Sequence, residues 1–311
     1  MIENYLALSA ALSAALEAKL LTSLIESPRT PADHAAALGI DLRATERVLD
    51  VLVAFDFASR KGDLVGASDQ LVTWSKLAPI GVEQMIALWE HTGEFLKTGK
   101  PLWRMDGADK SRYANVVGGL GRMAEAAARS FAGQLALPPM KKILDIGCGS
   151  GVWSLSIAAR HPGARVTGLD REDVLDAFRT RAGDMGFADR VDTIAGDVHE
   201  VAIPRDFEVV VIANVLRLDV PGRAQHIVER GAAALAPGGT FIVVDALGGG
   251  TPEADRAHAT YALHLAMRTE NGRTYSPETV IGWMQAAGIT DCRRETIAGP
   301  GPVGAVVGTR A

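Results

Sequence analysis

The sequence predicts an α/β protein in which a mostly parallel sheet is covered by helices and an α-helical domain precedes it. Three observations predict this class. From residue 141 onward, strand-like and helix-like segments alternate, which implies parallel strands with helices on both faces. Before residue 137 the apolar spacing is helical, apart from one short hairpin. Pro138-Pro139 separates the two textures, since proline disfavours helix both at itself and just before itself. At 311 residues the chain also exceeds the usual single-domain size.

Taken in order, residues 4 to 25 place Leu6, Leu12, Leu16, Leu20 and Leu24 at helical spacing, with alanines between. That apolar face is too wide for a lone surface helix, so packing against another subunit or domain is expected. SPRTPADHAAALGID supplies a helix start and a stop at Gly39. Asp41 is placed to cap DLRATERVLDVLVAFDF, whose Leu42, Val48, Leu49, Leu52, Val53 and Phe55 are expected to be buried. Two short strands around Lys61-Gly62-Asp63 complete a winged-helix pattern. Residues 80 to 137 read as further helices carrying Trp89, His91, Trp103, Met105 and Met123, for most of which core filling is the ordinary reading. Then come KKILDIG, a helix from 152 to 161, ARVTGLD, a helix over 171 to 185, VDTIAGD, FEVVVIANV, a helix over 222 to 236, and GGTFIVVDA. A helix ending near Gly288 leads to ITDCRRETI and VGAVVGT, expected as an antiparallel pair at the sheet edge. The expected domains are therefore 1–100, a connecting helical part at 101–137, and 138–311.

Composition narrows the function. A net charge of −5 gives no general affinity for nucleic acid or an anionic membrane. The winged-helix pattern raises DNA binding, but residues 1 to 100 hold nine Lys/Arg against thirteen Asp/Glu, and an acidic surface repels phosphate. An assembly module is the expected role. Apolar stretches are broken by charge before the roughly 20 residues that a membrane span needs, so a cytoplasmic protein is expected. Cys148 and Cys292, far apart and without a Cys/His cluster, predict reduced thiols and no metal site.

In an open parallel sheet, ligands bind beyond the carboxyl ends of the strands. The first strand ends in Asp145-Ile146-Gly147-Cys148-Gly149-Ser150-Gly151, where glycines let the backbone approach a ligand. Val152 and Ser154 stand where a dinucleotide fingerprint needs its last glycine, so NAD is disfavoured. The second strand ends at Asp170, suited to bridging two ribose hydroxyls, and the third at Gly196-Asp197, which can accept from an exocyclic amine. Each alone is also what a plain turn uses. Their order at three successive strand ends is the specific signal.

That order resembles the class I S-adenosylmethionine-dependent methyltransferases, whose first motif is an acidic residue followed by GxGxG. The likeness covers nearly the whole chain. A helical winged-helix domain, LWEHTGEFLKTGKPLW, GRMAEAAARSFAGQL and LAPGGTFIVVD are similar to the small-molecule O-methyltransferases that include the caffeate and acetylserotonin enzymes. The resemblance implies a Rossmann-like, mostly parallel seven-stranded sheet and a homodimer made through the N-terminal domain. It implies S-adenosyl-L-methionine as cofactor, S-adenosyl-L-homocysteine as product, and a small, aromatic or polyketide-like acceptor. Asp145, Gly147, Gly149, Gly151 and Asn214 would line the cofactor, Asp170 would hold its ribose, and Asp197 with Val198 would face its adenine. Met123, Trp103, Trp89 and Met267 are the candidates for the acceptor pocket.

One stretch departs from the family. Members read like VLHDW after the fourth strand, with the histidine as general base; here the letters are Val215-Leu216-Arg217-Leu218-Asp219. A phenol of pKa near 10 is only about one-thousandth ionised at pH 7, and a guanidinium cannot take its proton. Four readings stand. His258 or His264, on HATYALHLAMR, is the base; Arg217 stabilises an acceptor that is already anionic; the acceptor is a carbon or another nucleophile needing no deprotonation; or the protein binds the cofactor without methylating, serving hydroxylation or cyclisation. A strand-end arginine is equally read as the ion-pair partner of Asp219 or Asp245.

Overall fold

The computed structural model describes residues 2–77, 82–105, 110–248, 251–298 and 303–311. It divides into two compact units, residues 1–90 and 91–311. Part of the stretch read as helices between 80 and 137, at 80–81 and 106–109, lies outside the described residues.

The first unit contains α1 (Ile2–Glu17), α2 (Leu20–Glu26), α3 (Pro31–Leu38), α4 (Leu42–Ala54), β1 (Ala58–Lys61), β2 (Leu64–Ala67), α5 (Asp69–Leu77) and α6 (Val82–Glu90). The expected helix over 4 to 25 is two helices. Lys19 takes a left-handed φ of 59°, and α2 leaves α1 at 76°. Leu20 and Leu24 are buried, whereas Leu6 is exposed. Gly39 closes α3 at φ 67°, and the Asp41 carboxylate accepts the Ala44 N–H at 2.8 Å to cap α4. In and just after α4, Leu49 and Leu52 are fully buried and Val48, Val53 and Phe55 partly so. Leu42 is 43% exposed, contrary to expectation, because it is the first residue after the cap and lies ahead of the stripe that packs. His34 is a satisfied core histidine, with ring nitrogens 2.8 Å from Ser23 Oγ and 3.0 Å from the Val65 carbonyl.

The second unit contains α7 (Thr92–Thr98), α8 (Lys110–Gln134), β3 (Lys142–Ile146), α9 (Val152–Ala158), β4 (Arg165–Asp170), α10 (Glu172–Asp184), β5 (Val191–Ala195), β6 (Phe207–Ala213), α11 (Pro221–Ala234), β7 (Leu235–Ala246), α12 (Pro252–Ala266), α13 (Pro277–Ala286), β8 (Ile289–Thr296) and β9 (Val303–Arg310). Seven strands form one sheet in the order β5-β4-β3-β6-β7-β9-β8. The first five are parallel, and β9 runs antiparallel to both β7 and β8. Both faces are covered, as a parallel sheet requires. Ile143, Val209, Val211, Ile242 and Val244 enter one apolar cluster with α8, α9 and α10. Leu144, Ile146, Val210, Ile212, Phe241 and Val243 enter the other with α11 and α13. Such alternation fixes register, because a slip of one residue would exchange the two sets. All parallel strands therefore end on one side, where the loops after β3, β4, β5 and β6 gather. Among the described residues, no single helix is long and apolar enough to cross a membrane.

Candidate active site

The loop after β3 is held by main-chain bonds. Gly147 and Cys148 donate N–H to the Leu169 carbonyl at 2.7 and 3.1 Å, and Gly151 donates to the Cys148 carbonyl at 2.7 Å. Gly147, Gly149 and Gly151 all have positive φ, of 68°, 54° and 68°. Two of them are required by the protein's own packing. A Cβ on Gly147 would lie 2.4 Å from Val215, and one on Gly151 would lie 2.4 Å from Phe178. A Cβ on Gly149 would meet only Val117, at an ordinary 3.5 Å. Gly149 is thus the position of the three where the backbone is presented to space beyond the loop.

Asp170, at the end of β4, grips this loop. Its Oδ2 accepts the Gly149 N–H and its Oδ1 the Arg171 N–H, each at 2.8 Å. Burial raises its pKa, and those two bonds oppose the rise. A carboxylate offers about four lone pairs, so acceptor capacity remains for a ligand.

Asp145 is fully enclosed near the end of β3. Ser154 donates to its Oδ2 at 2.5 Å, while Oδ1 is buried with no hydrogen-bond partner. Burial is the main cause that pushes its pKa up to about 7; Ser154 lowers it and Asp170 raises it further. An unsatisfied buried oxygen at a strand end costs roughly 1–3 kcal/mol, and a bound cation or donor would recover that cost. The Cys148 thiol lies beside both carboxylates and is pushed up chiefly by burial, which marks it as an inert thiol.

Beyond β5, Asp197 is exposed and Val198 partly buried against the sheet cluster. Asp197 Oδ1 accepts the His199 N–H at 2.9 Å. His199 then reaches across the strand ends, its Nε2 lying 2.7 Å from Asp219 Oδ2. No pattern of residues local to either position announces this pair, which is twenty residues apart. It is the site feature that reading the sequence missed.

Beyond β6, Asn214 takes a left-handed φ of 63°, and its N–H donates to the Val244 carbonyl at 2.7 Å. A short 3-10 turn over Leu216–Leu218 follows. Arg217 Nη1 donates to Asn214 Oδ1 at 2.7 Å and lies 3.5 Å from Asp245 Oδ1; the Arg217 N–H donates to Asp245 Oδ2 at 3.2 Å. Of the two acids expected as partners, Asp245 holds Arg217, while Asp219 takes His199 and Arg223. Burial raises the Asp245 pKa, and the Arg217 guanidinium opposes that rise most.

Tyr261 of α12 packs over Arg217 and is itself held by Arg268, just beyond the helix. The Tyr261 ring lies 5.1 Å from the Arg217 guanidinium carbon and 5.7 Å from that of Arg268, and Arg268 Nη2 donates to the Tyr261 hydroxyl at 3.0 Å. His264 packs edge-on to Tyr261, 6.1 Å between centroids. Its pKa is lowered to about 3, by burial first and by Arg268 second, so it is neutral and a weak proton acceptor. His258 lies six residues before His264, against Gly248, where a Cβ would come within 2.3 Å of its Nδ1; its Nε2 is buried without a hydrogen-bond partner.

Among the pocket candidates, Met123 is 44% exposed on α8. Met267 is fully enclosed behind α12, where Thr92 Oγ1 lies 3.4 Å from its sulfur and Leu102 donates to its carbonyl at 2.7 Å. Trp103 is partly buried in the adjoining segment, and Trp89 belongs to the first unit. No group of three or more His, Cys, Asp or Glu that could hold a metal ion occurs among the described residues.

Comparison with known proteins bears on this arrangement. Residues 82–290 match the O-methyltransferase domain family. Over 94% of its length the chain is 24% identical to the tetracenomycin polyketide synthesis 8-O-methyl transferase TcmO of Streptomyces glaucescens, covering 91% of that protein. It is 24% identical, over 98% of its length and 91% of the relative, to the 3-hydroxy-5-methyl-1-naphthoate 3-O-methyltransferase of Streptomyces sahachiroi. Its fold matches the crystal structure of human N-acetylserotonin methyltransferase in complex with SAM, with a TM-score of 0.69 at 19% identity, over 97% of this chain and 93% of that one.

Proposed function

We propose, because the chain belongs to the O-methyltransferase domain family, that it transfers a methyl group from S-adenosylmethionine to an oxygen of a small aromatic or polyketide-like metabolite, and that this oxygen is ionised when it meets Arg217. The observation that carries the second half is the position of Arg217. A permanent cation, pinned by Asn214 and Asp245 and roofed by Tyr261, stands where the resemblance places a proton acceptor.

The residues present fit the cofactor. Asp145 offers a buried oxygen without a partner, suited to an ammonium group; Gly149 offers open backbone; Asp170 retains acceptor capacity for a ribose; Asp197 and Val198 offer an acceptor and an apolar surface to a purine. When bound, the cofactor supplies an electrophilic sulfonium methyl group, and direct displacement leaves S-adenosylhomocysteine.

The chain's own contribution is position and charge. Asp245 and Asn214 fix the guanidinium so that its N–H groups need no reorganisation to meet an oxyanion. An ion held in this way stays available for attack, and alignment replaces proton abstraction as the source of rate. An acceptor with an acidic hydroxyl or a carboxylate suits such a site. The naphthoate relative is named for an acceptor that carries both a hydroxyl and a carboxylate. Assembly as a homodimer through the first unit belongs to the same reading, supported by Ile2, Tyr5 and Leu6, which expose apolar surface along α1.

Calorimetry with S-adenosylmethionine, followed by mass spectrometry of a panel of phenols and hydroxyarene carboxylates, tests the reading. The expected result is cofactor binding and one added methyl group, with preference for acceptors ionised at the assay pH. A product formed without methyl gain would instead support a relative that keeps the cofactor as a fixed charge. Absence of binding would remove both.

A further inference from the structure

We infer that His199 is a positioning residue: through Asp219 it sets the turn that carries Arg217, so the acceptor end of the site is aligned from the cofactor end. The inference rests on the proposed cofactor reading, which puts the loop after β5 at the adenine.

The two loops have no sheet contact through which to align. In the order β5-β4-β3-β6 they end strands three places apart, which at about 4.8 Å per strand is roughly 14 Å. His199 spans that gap with a contact of 2.7 Å between Nε2 and Asp219 Oδ2. The two side chains are only 10% and 20% exposed, so water competes weakly for the bond.

Both ends of the contact are anchored. On the first side, the His199 N–H donates to Asp197 at 2.9 Å, and its carbonyl accepts from Arg230 Nη1 at 2.7 Å. Its ring lies nearly parallel to that of His226, with centroids 6.2 Å apart and planes 9° apart. On the second side, Asp219 Oδ1 accepts from Arg223 Nε at 2.9 Å, and its carbonyl accepts the Tyr275 hydroxyl at 2.5 Å. Asp219 ends the 3-10 turn whose middle residue is Arg217, and its N–H donates back to Leu216 at 3.1 Å. Fixing Asp219 therefore fixes the turn.

The division of labour within His199 makes the inference testable. Its bonds to Asp197 and Arg230 use backbone atoms, and its bond to Asp219 uses the side chain. His199→Ala should leave the adenine-side loop in place and release only the far side.

The experiment uses the full chain saturated with S-adenosylhomocysteine. It reads hydrogen–deuterium exchange at residues 196–201 and 214–220 and the affinity for that ligand. For His199→Ala we expect exchange about tenfold faster at 214–220, no change at 196–201, and a Kd within twofold of the parent. His199→Gln, whose amide can still donate to Asp219, should return exchange at 214–220 to within about threefold. Unchanged exchange at 214–220 in the alanine variant would overturn the inference. So would a joint loss at both segments and in affinity, which marks a purely structural contact. If the parent protein does not bind S-adenosylhomocysteine at all, the cofactor reading fails first and takes this inference with it.

Discussion

At the ends of β3 and β4 the contacts are made by main chain: N–H groups of Gly147 and Cys148 bonded to Leu169 of β4 and that of Gly151 bonded within the loop, with one aspartate, Asp170, gripping it. At the ends of β6 and β7 they are made by polar, charged and aromatic side chains, Arg217, Asp245, Asn214, Tyr261 and Arg268. The first kind of construction tolerates almost no change in backbone shape. The second rests on side-chain partners, which a substitution can change while leaving the glycine loop as it is. One fold can therefore keep a fixed cofactor and vary its acceptor chemistry.

The largest break in this contrast should come from Gly151→Val. It places a branched side chain at φ 68° and against Phe178, and should cost at least about 4 kcal/mol of stability in denaturant unfolding, with cofactor binding lost alongside. If the variant folds normally, the loop is not held by its backbone.

Proton linkage separates the halves next. Asp145 has a folded-state pKa of about 7, above an unfolded value near 3.9. The folded state thus holds more protons between those values, and stability falls as pH rises from about 4 to about 7, by on the order of 3–4 kcal/mol. His264, lowered to about 3, lies below its unfolded value near 6.5. There the unfolded state holds more protons, and stability rises as pH goes from about 3 to about 6.5. The two slopes oppose one another across most of that window. Thermal melts from pH 4 to 7 should show a steeper rise for Asp145→Asn than for the parent, and a fall exposed by His264→Gln. Identical profiles for all three proteins would contradict the assignment.

Arg217→Met should then lower methyl transfer by about 10²–10³-fold, the usual cost of removing a preorganised oxyanion donor, while cofactor affinity stays within about threefold. Arg217→His sharpens the same point. A collapse of activity means that the fixed charge is used, and retained turnover means that the position only awaits a base. The smallest effect concerns the helix whose Tyr261 packs over Arg217. The Thr251 hydroxyl accepts the Ala254 N–H at 3.1 Å and caps α12, so Thr251→Ala should cost about 1 kcal/mol and loosen Tyr261 over Arg217, raising the acceptor KM without moving cofactor affinity.

What the sequence made legible follows the same division. Asp145, Asp170 and Asp197 stood out because a strand, a turn and an acid recur locally at three successive places, and local periodicity survives without coordinates. Asp245 could be named only as one of two partners for Arg217, since an ion pair across 28 residues leaves no spacing to read. His199 with Asp219 left no trace at all. The break between α1 and α2 was also hidden, because a lysine in left-handed conformation has no sequence signature of the kind that a glycine gives. The exposure of Leu42 was misread for a related reason: helical spacing shows that a face is apolar, not that it is covered.

β9 lies between β7 and β8, and Asp245 is registered opposite its Gly304. A ribosome delivers β8 before β9, yet β8 touches the sheet only through β9, so β8 must wait. Until the last strand slots in, β7 has a bare edge along the residues that include Asp245. At elongation rates of roughly 5–20 residues per second, the parallel strands and the glycine loop are made seconds before β9. Chain order and sheet order therefore disagree at this edge, and the strand that closes the sheet beside Asp245 is the last of the seven to be delivered.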